Sequence, residues 1–375
     1  MSTWQIPLAD VELSQSDLDA VVETYRSGWL SMGPRTKEFE ERFAAYVGGR
    51  HAIAVSSGTA ALHLMTVAAG LGPDDEVVLP SLTFVATANS VRYAGARTVF
   101  ADIAALDDPV MSAAAARASL SSRTRAILHV PYGGTPSQLR ALRELADEHG
   151  LRLYLDAAHA VGSTLDGRPV STVAHASAFS FFSNKNLAIG EGGMVVTDDD
   201  EFARRVRLLR SHGMTTLTWD RHRGHASGYD VIALGFNYRL DEPRAALGAS
   251  RLARLDEDNA RRAQCDARYR ALLDGVVECA MPPVADGRSA YHLFTIVLDE
   301  GVDRDEFRTV LAADGVQTSV HYPPVHRFAI HESDGAALTL TEAYARRSVT
   351  LPLYAHLRED QQEHVAGAVR RALAR

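Results

Sequence analysis

The chain has 375 residues, more than one ordinary hydrophobic core accommodates, and this length predicts about two domains. Its composition, 46% hydrophobic and 23% charged, is typical of a soluble globular protein. A net charge of −8, without a long Lys/Arg run to offset it, argues against a general nucleic-acid-binding protein.

The cysteines and the N-terminus indicate a cytoplasmic protein. Cys265 and Cys279 are the only cysteines, too few for a disulfide framework or a metal set, so we expect a reducing compartment and no metal site. Met1 to Asp10 contain no basic segment followed by an apolar one, so a signal peptide is not expected. No apolar run reaches the roughly 18 residues of a spanning helix, so we expect no membrane contact.

Two helices are predicted at the N-terminus. Helical periodicity covers Ser16 to Ser27, with Ser16 as the N-cap. The turn-rich loop from Gly28 to Pro34 either lines a pocket or is a plain connector. Pro34 then opens a second helix, and its predicted buried face carries three aromatic residues, Phe39, Phe43 and Tyr46.

From His51 short apolar runs alternate with helical stretches, which predicts a mostly parallel sheet covered on both faces. The predicted strands are Ala52–Val55, Glu76–Leu79, Thr98–Phe100, Ala126–Val130, Leu151–Leu155, Ala178–Phe182 and Met194–Val196. Helices such as Thr59–Gly70 and Ser137–His149 lie between them. Ligands of such sheets bind at the carboxyl ends of the strands.

The C-terminal third predicts a smaller α/β domain. Its elements are a strand at Tyr291–Leu298, a helix at Asp303–Asp314, a strand at Val316–Val320 and a helix from Glu359. Before them we predict a helix at Glu201–Ser211 and a long polar loop at His212–Tyr229. A helical pattern that runs from Asp241 to about Leu273, interrupted early by Pro243, is expected to link the two domains. We place a large domain at 1–245 and a small domain at 246–375. The N-terminal segment is counted with the large domain, and whether it packs on the small domain is left open.

Lys185 is the most conspicuous side chain. Of 39 Lys and Arg residues only Lys37 and Lys185 are lysines, and Arg keeps its proton, so it cannot serve as an amine nucleophile. Lys185 stands between the aromatic run Phe179–Phe182 and the glycine-rich run Gly190–Gly193, whereas Lys37 has the neighbours of a surface residue. This setting favours an amine that forms a Schiff base over a second surface lysine.

A possible phosphate site follows the first predicted strand. Ser57, Gly58 and Thr59 open a helix there, and a helix N-terminus presents free N–H groups to an anion. An ordinary N-cap is the alternative. The segment lacks Gly-Lys-Ser/Thr and the chain lacks Gly-x-Gly-x-x-Gly, which argues against a nucleoside-triphosphate loop and a nicotinamide dehydrogenase.

Other strand ends carry groups that suit a cationic ring. Phe84 either stacks on a planar ring or belongs to the core, and Asp156 either pairs with a pyridinium nitrogen or caps a helix. His159 lies within reach of a ring substituent. Together with Ser180 and Lys185 these residues meet the requirements of pyridoxal phosphate. In that setting Asp156 keeps the ring nitrogen protonated and the Lys185 amine moves protons between substrate and cofactor.

In chain order these motifs resemble the DegT/StrS-type sugar aminotransferases, within the aspartate aminotransferase fold (type I) of pyridoxal-phosphate enzymes. The resemblance covers nearly the whole chain. It rests on Trp29–Pro34, Phe39-Glu40, Ser57–His63, Pro80–Asn89, Asp156–His159, Phe179–Phe182, Lys185-Asn186, Gly190–Gly193, Gly235–Leu240, Val320–Tyr322, His326 and Thr350–Tyr354. It implies a large domain with a seven-stranded, mostly parallel sheet flanked by helices, and a smaller C-terminal α/β domain.

The resemblance also assigns roles to residues. Lys185 and Asp156 are the catalytic pair, and Asn237 reaches the phosphate from the partner subunit of a homodimer with shared active sites. His159 lies beside the ring oxygen, where many relatives carry Gln. The remaining cofactor-binding positions are Ser57, Gly58, Thr59, Ala60, Phe84 and Ser180. The expected substrate contacts are Trp29, Tyr132, Arg239, His321, Tyr322 and His326.

The activity implied is transfer of an amino group from glutamate or glutamine to a keto-sugar, with pyridoxamine phosphate between two half-reactions. The expected acceptor is nucleotide-linked, such as a dTDP- or UDP-keto-deoxyhexose of amino-sugar or antibiotic biosynthesis. A keto-cyclitol of aminoglycoside pathways and a non-catalytic, cofactor-binding regulatory protein are the alternatives. Lys185 speaks against the dehydratases of the family, which carry His at this position.

Four segments concern the substrate or the subunit contacts. The predicted loop carries Arg221, His222, Arg223 and His225, which either meet a sugar diphosphate or are solvated. The chain departs from the family pattern at Gly134–Leu139, at Pro243-Arg244 and at Ser183-Asn184. None of these departures removes a cofactor contact.

Overall fold

The computed structural model describes residues 4–216, 228–331 and 337–374. Its strands are β1 (His51–Val55), β2 (Glu76–Pro80), β3 (Arg97–Ala101), β4 (Thr124–His129), β5 (Arg152–Asp156), β6 (Thr164–Leu165), β7 (Arg168–Pro169), β8 (Ala176–Ser180), β9 (Gly193–Thr197), β10 (Glu278–Cys279), β11 (Gly287–Arg288), β12 (Phe294–Val297) and β13 (Ser348–Leu351). Its α-helices are α1 (Gln15–Arg26), α2 (Pro34–Val47), α3 (Gly58–Ala68), α4 (Val85–Tyr93), α5 (Ala113–Ala118), α6 (Leu139–Glu148), α7 (Asp200–Arg210), α8 (Glu242–Leu252), α9 (Leu255–Leu273), α10 (Arg304–Ala313), α11 (Thr339–Arg347) and α12 (Glu359–Leu373).

The main sheet has seven strands in the order β1-β9-β8-β5-β4-β2-β3. The strands from β8 to β3 pair in parallel, and β9 runs antiparallel to both β8 and β1. The predicted mostly parallel sheet is therefore confirmed. Its strands were found because each is a short apolar run between helical stretches, the pattern of crossover connections.

Residues alternate between two buried clusters along each strand, as expected for a sheet covered on both faces. Ala52 and Ala54 of β1 belong to one cluster with the rings of Phe43 and Phe179, and Ile53 belongs to the other. Part of the aromatic run before Lys185 is therefore buried in the core, and this burial anchors the chain where it leaves the sheet toward Lys185.

A third cluster holds the C-terminal elements. Helices α9, α10 and α12 pack there against β12 and β13. Ile6 is 1% exposed within this cluster, so the N-terminal segment contacts the C-terminal elements. The prediction of a strand at Val316–Val320 is wrong. Val316 pairs with Ile6 and Ser319 pairs with Thr350, each at a single position, so the two ends of this segment bond to different partners and no continuous strand forms.

Two helix boundaries differ from the prediction. The first helix is capped by Ser14, not Ser16, because Ser14 Oγ accepts from Asp17 N while Asp17 accepts from Ser14 N. The predicted helix from Asp241 to Leu273 is broken between α8 and α9. At the break Arg254 is held by Asp17 at 2.8 Å, a long-range contact that sequence periodicity does not reveal.

Glu242 joins α8 to the start of α2. Its carboxylate is buried and accepts from the N–H groups of Gly33, Arg35 and Thr36 at 2.7–2.8 Å, and from Thr36 Oγ1 at 2.7 Å. The N-cap of α2 is Gly33, which has no side chain, so Glu242 supplies the missing cap from a distant element. This contact anchors the loop that carries Trp29.

Within the described residues no helix is both long and apolar enough to cross a bilayer.

Candidate active site

A cavity of about 380 Å³ opens at the carboxyl ends of the central strands. Ten of the residues named from the sequence line it: Ser57, Gly58, Thr59, Phe84, Asp156, His159, Ser180, Lys185, His321 and Tyr322. Residues at or after the strand ends of the main sheet thus line the same cavity as His321 and Tyr322 of the C-terminal part.

The N-terminus of α3 forms one end of the cavity. The first N–H groups of a helix have no partner inside the helix, and Ser57 Oγ satisfies one of them by accepting from Ala60 N at 3.1 Å. Ala60 itself is buried and is not among the residues that line the cavity, so its contact with the cofactor stays a prediction. A Cβ on Gly58 would lie 2.7 Å from Ser180 Cβ. Glycine therefore allows Ser180 and the helix end to meet, and the two form a cradle that fits a phosphate.

Asp156 lies at the end of β5 and is 5% exposed. Its Oδ2 accepts from Thr87 Oγ1 at 2.6 Å, and its Oδ1 accepts from Ala158 N at 3.2 Å. Burial raises the pKa of the carboxyl, while Thr87, Ala158 and the positive charge of Lys185 act against the increase. A carboxylate in this position is stabilised by a cation placed beside it, and a protonated pyridine nitrogen fits that requirement.

Lys185 is half-buried at the cavity, and its backbone N–H donates to Phe182 O at 2.8 Å. Desolvation by the surrounding protein lowers the pKa of its amine to about 8, with the Asp156 carboxylate opposing the change. Its ordinary pKa of 10.5 would leave very little neutral amine at physiological pH. The cavity therefore provides a lysine that can lose its proton and act as a nucleophile.

His159 and Tyr322 form a second wall. His159 Nδ1 accepts from Gly133 N at 3.2 Å, so the hydrogen is on Nε2 and is donated to Tyr322 Oη at 3.1 Å. Burial lowers the pKa of His159 well below its ordinary value, which keeps the imidazole neutral. The ring of Phe84 is 55% exposed and lies 5.9 Å from the ring of Tyr322. A planar ligand has room beside these rings.

Tyr132 and His326, both predicted as substrate contacts, do not line the cavity. Tyr132 is 1% exposed, and its hydroxyl donates to the His321 carbonyl. His326 accepts from Ser81 Oγ at 2.6 Å and donates to Glu342 at 2.7 Å. Both side chains therefore support the segment that carries His321 and Tyr322.

Three further predicted residues also lie outside this cavity. Asn237 is exposed and pairs with Ser211, and the half-buried Arg239 pairs with Val55 at the end of β1. Trp29 lies in the loop before α2, next to Gly33, where an added Cβ would meet the indole Nε1 at 2.7 Å. The predicted contacts Arg221, His222, Arg223 and His225 fall outside the described residues.

Sequence reasoning missed Thr87, Asn186 and His292 as site residues. Thr87 and Asn186 lie within motifs that were noted, yet their neighbours are distant in sequence. His292 lies within the predicted strand Tyr291–Leu298, just before the observed strand β12, and its Nε2 is 3.5 Å from Lys185 Nζ. Nothing in its local sequence indicates that it approaches a lysine 107 residues away. Across the described ranges no three His, Cys, Asp or Glu side chains come together as a metal site.

Comparison with known proteins identifies the family. Residues 11–370 match the model of the DegT/DnrJ/EryC1/StrS aminotransferase family. The chain is 40% identical to SpsC, the spore coat polysaccharide biosynthesis protein of Bacillus subtilis (strain 168), over 383 residues that cover 98% of this chain and 96% of that protein.

Two solved structures extend the comparison. DesV of S. venezuelae is 37% identical with a TM-score of 0.90, and the match covers 100% of both chains. DesI, solved in the presence of its TDP-sugar product, is 34% identical with a TM-score of 0.88, and the match covers 99% of this chain and 93% of DesI. The chain therefore belongs to the DegT/DnrJ/EryC1/StrS aminotransferase family and is a pyridoxal-phosphate-dependent aminotransferase.

Proposed function

We propose that this enzyme transfers an amino group from glutamate or glutamine to a nucleotide-linked keto-deoxyhexose. The observation that carries the proposal is the cavity in which Lys185, with its lowered pKa, faces Asp156 beside an anion-binding helix end. DesI supports the nucleotide-sugar part, because a relative 34% identical over 99% of this chain was solved with a TDP-sugar.

We assign the cofactor contacts as follows. The cradle of Ser57, Gly58, Thr59 and Ser180 binds the phosphate, and Phe84 covers one face of the ring. Asp156, oriented by Thr87 and the Ala158 N–H, holds the proton on the ring nitrogen. When bound, pyridoxal phosphate serves as an electron sink for the substrate carbon that loses or gains the amino group.

Lys185 performs the proton chemistry in this proposal. An amine with a pKa of about 8 is neutral often enough to accept a proton from the substrate carbon, and as an ammonium it can return one. His159 stays neutral and presents its Nε2–H toward Tyr322, so it orients that side of the site without carrying charge.

We further propose that the enzyme works as a homodimer with shared active sites. Asn237 is exposed on its own subunit, as a residue that serves a partner's site must be. Val231, Ile232 and Leu234 lie close to it in sequence and are 53%, 56% and 95% exposed. Apolar side chains so open to water on one short segment suit a surface that another subunit covers.

Amination of defined acceptors tests the proposal. The purified enzyme is incubated with pyridoxal phosphate, glutamate or glutamine, and either dTDP- and UDP-linked keto-deoxyhexoses or a keto-cyclitol. The expected product is the amino sugar nucleotide, identified by mass, and Lys185→Ala gives none. Amination of the keto-cyclitol alone would overturn the assignment of the acceptor. Failure of every donor to aminate the bound cofactor would indicate a regulatory protein.

A further inference from the structure

A buried histidine approaches the reactive lysine from the C-terminal part of the chain. His292 is 5% exposed and lies just before β12. Its Nε2 is 3.5 Å from Lys185 Nζ, at the long end of hydrogen-bond distance, and its ring centroid is 4.3 Å from that of His159. The cofactor contacts assigned above do not include His292.

A chain of amides determines which nitrogen of His292 carries the hydrogen. Asn259 Nδ2 donates to the Val161 carbonyl at 3.0 Å, so Asn259 Oδ1 is the atom that faces Asn186. Asn186 Nδ2 donates to this Oδ1 and to the Ala290 carbonyl, each at 2.7 Å. Backbone carbonyls only accept hydrogen bonds, so neither amide can be flipped without loss of a bond.

The remaining atom of Asn186 faces the histidine. Asn186 Oδ1 is 3.0 Å from His292 Nδ1, and an amide oxygen only accepts. The hydrogen of the neutral imidazole is therefore on Nδ1, and the lone pair of Nε2 is directed toward Lys185. The ammonium of a lysine only donates, so the two groups are complementary in this arrangement and would not be in the other tautomer.

Burial, assisted by nearby groups, keeps His292 neutral. Burial lowers its pKa well below the ordinary value, and the nearby groups His159, Lys185, Arg262 and His321 act in the same direction. The acidic group that faces Lys185 in the cavity is Asp156, which lies at the end of β5 in the main sheet, whereas His292 precedes β12. His292 is therefore suited to accept a hydrogen bond, not to carry a proton between groups.

We propose that His292 is a positioning residue: its Nε2, fixed as an acceptor by Asn186 and Asn259, holds the Lys185 amine whenever that amine is not bonded to the cofactor. The inference rests on Lys185 as the reactive amine of the proposed function and not on the identity of the acceptor sugar. Lys185 would then occupy a defined place between half-reactions, and residues of the C-terminal part would set its affinity for a proton.

The two lysines of the chain make a direct test possible. Enzyme labelled with [ζ-¹⁵N]lysine gives signals from Lys37 and Lys185, and Lys37→Arg leaves Lys185 alone for titration against pH. The measurement uses the pyridoxamine-phosphate form, in which the Lys185 amine is free. His292→Phe keeps a ring but removes the acceptor, and we expect about a tenfold loss of proton affinity at Lys185, since the ammonium loses a hydrogen-bond partner. His292→Gln, which offers an amide oxygen, recovers most of the loss.

An unchanged Lys185 titration in His292→Phe would overturn the inference. Should that variant not fold, Asn186→Leu serves instead, because it removes the acceptor that fixes the hydrogen on His292 Nδ1 and leaves the imidazole in place. A smaller loss in the same direction is then expected, since the ammonium itself still favours a free Nε2, and no loss would overturn the role of Asn186. The kinetic counterpart is a lower kcat of the donor half-reaction with an unchanged KM for the donor. The titration does not depend on any sugar acceptor, so it remains readable if the proposed acceptor is wrong. It also remains readable if the protein binds no cofactor, since the amine is then free.

Discussion

The hydrogen bond from Thr87 to Asp156 should determine how tightly the cofactor binds. Thr87 Oγ1 donates to Asp156 Oδ2 at 2.6 Å in a buried setting, and it is one of the two hydrogen bonds to this carboxylate in the described structure. Thr87→Val preserves the shape of the side chain and removes the donor. Asp156 must be ionised to pair with the protonated ring nitrogen, and the lost bond makes that state less stable.

The magnitude follows from the type of bond. A hydrogen bond to a charged group contributes about 1.5–3 kcal/mol, so the Kd for pyridoxal phosphate should rise by about 10- to 140-fold in Thr87→Val. Loss of the donor also raises the pKa of Asp156, so the variant should need a higher pH than the parent to bind the cofactor. Titration of cofactor-depleted enzyme, followed by the cofactor's absorbance at several pH values, measures both effects.

Two matched variants control this experiment. Thr87→Ser retains the hydroxyl and should bind the cofactor nearly as well as the parent. Thr66→Val removes another buried hydroxyl, one that donates to the His63 and Ser90 carbonyls outside the cavity, and should lower stability without a change in Kd. A Thr87→Val enzyme with the parent's Kd and pH dependence would refute the reasoning about Asp156.

Three further predictions concern the phosphate cradle, the cap of α2 and the amine of Lys185. Gly58→Ala should raise the Kd for pyridoxal phosphate at least about tenfold, because the added Cβ would lie 2.7 Å from Ser180 Cβ. The control is Gly72→Ala, whose Cβ meets no atom within 4 Å and which should leave the Kd unchanged. Equal affinities of the two variants would contradict the role of Gly58 in the phosphate cradle. Glu242→Ala should lower the free energy of unfolding by about 2–4 kcal/mol in urea, since four hydrogen bonds at the start of α2 are lost; a change under about 0.5 kcal/mol would contradict the capping role. The rate of cofactor attachment to Lys185 should rise with pH up to about 8 and then level off, because the neutral amine is the reactive form; a rise that continues toward 10.5 would show that burial does not lower this pKa.

The sequence predicted the sheet and the positions at its carboxyl edge. Ser57, Asp156 and Ser180 each lie at or just after the end of a strand, and parallel strands bring such ends together. Lys185 stood out because the chain otherwise uses Arg for its positive charges. These inferences need only chain order and local pattern, and the cavity confirms that the side chains meet.

Contacts between distant segments could not be predicted in this way. His292 and Asn186 are 106 residues apart, and Thr87 and Asp156 are 69 apart, so no local periodicity relates them. The same limit explains the helix break at Arg254, which a contact from α1 stabilises.

Only some of the expected substrate contacts line the cavity, for a related reason. The motif that contains His321 and Tyr322 was recognised, and both residues line the cavity. Tyr132 and His326 were expected beside them, yet Tyr132 holds the His321 carbonyl and His326 bonds to Glu342, outside the cavity. A motif match does not show which side of a loop a ring faces, so the roles of Tyr132 and His326 as substrate contacts stay predictions.

The most direct test of the account is the identity of the amine that binds pyridoxal phosphate. The holoenzyme is reduced with borohydride, which makes the link between cofactor and lysine permanent, and then digested and examined by mass. We expect the added mass on the peptide that contains Lys185, with Lys37 unmodified. Modification at Lys37, or no added mass in an enzyme saturated with pyridoxal phosphate, would contradict the account.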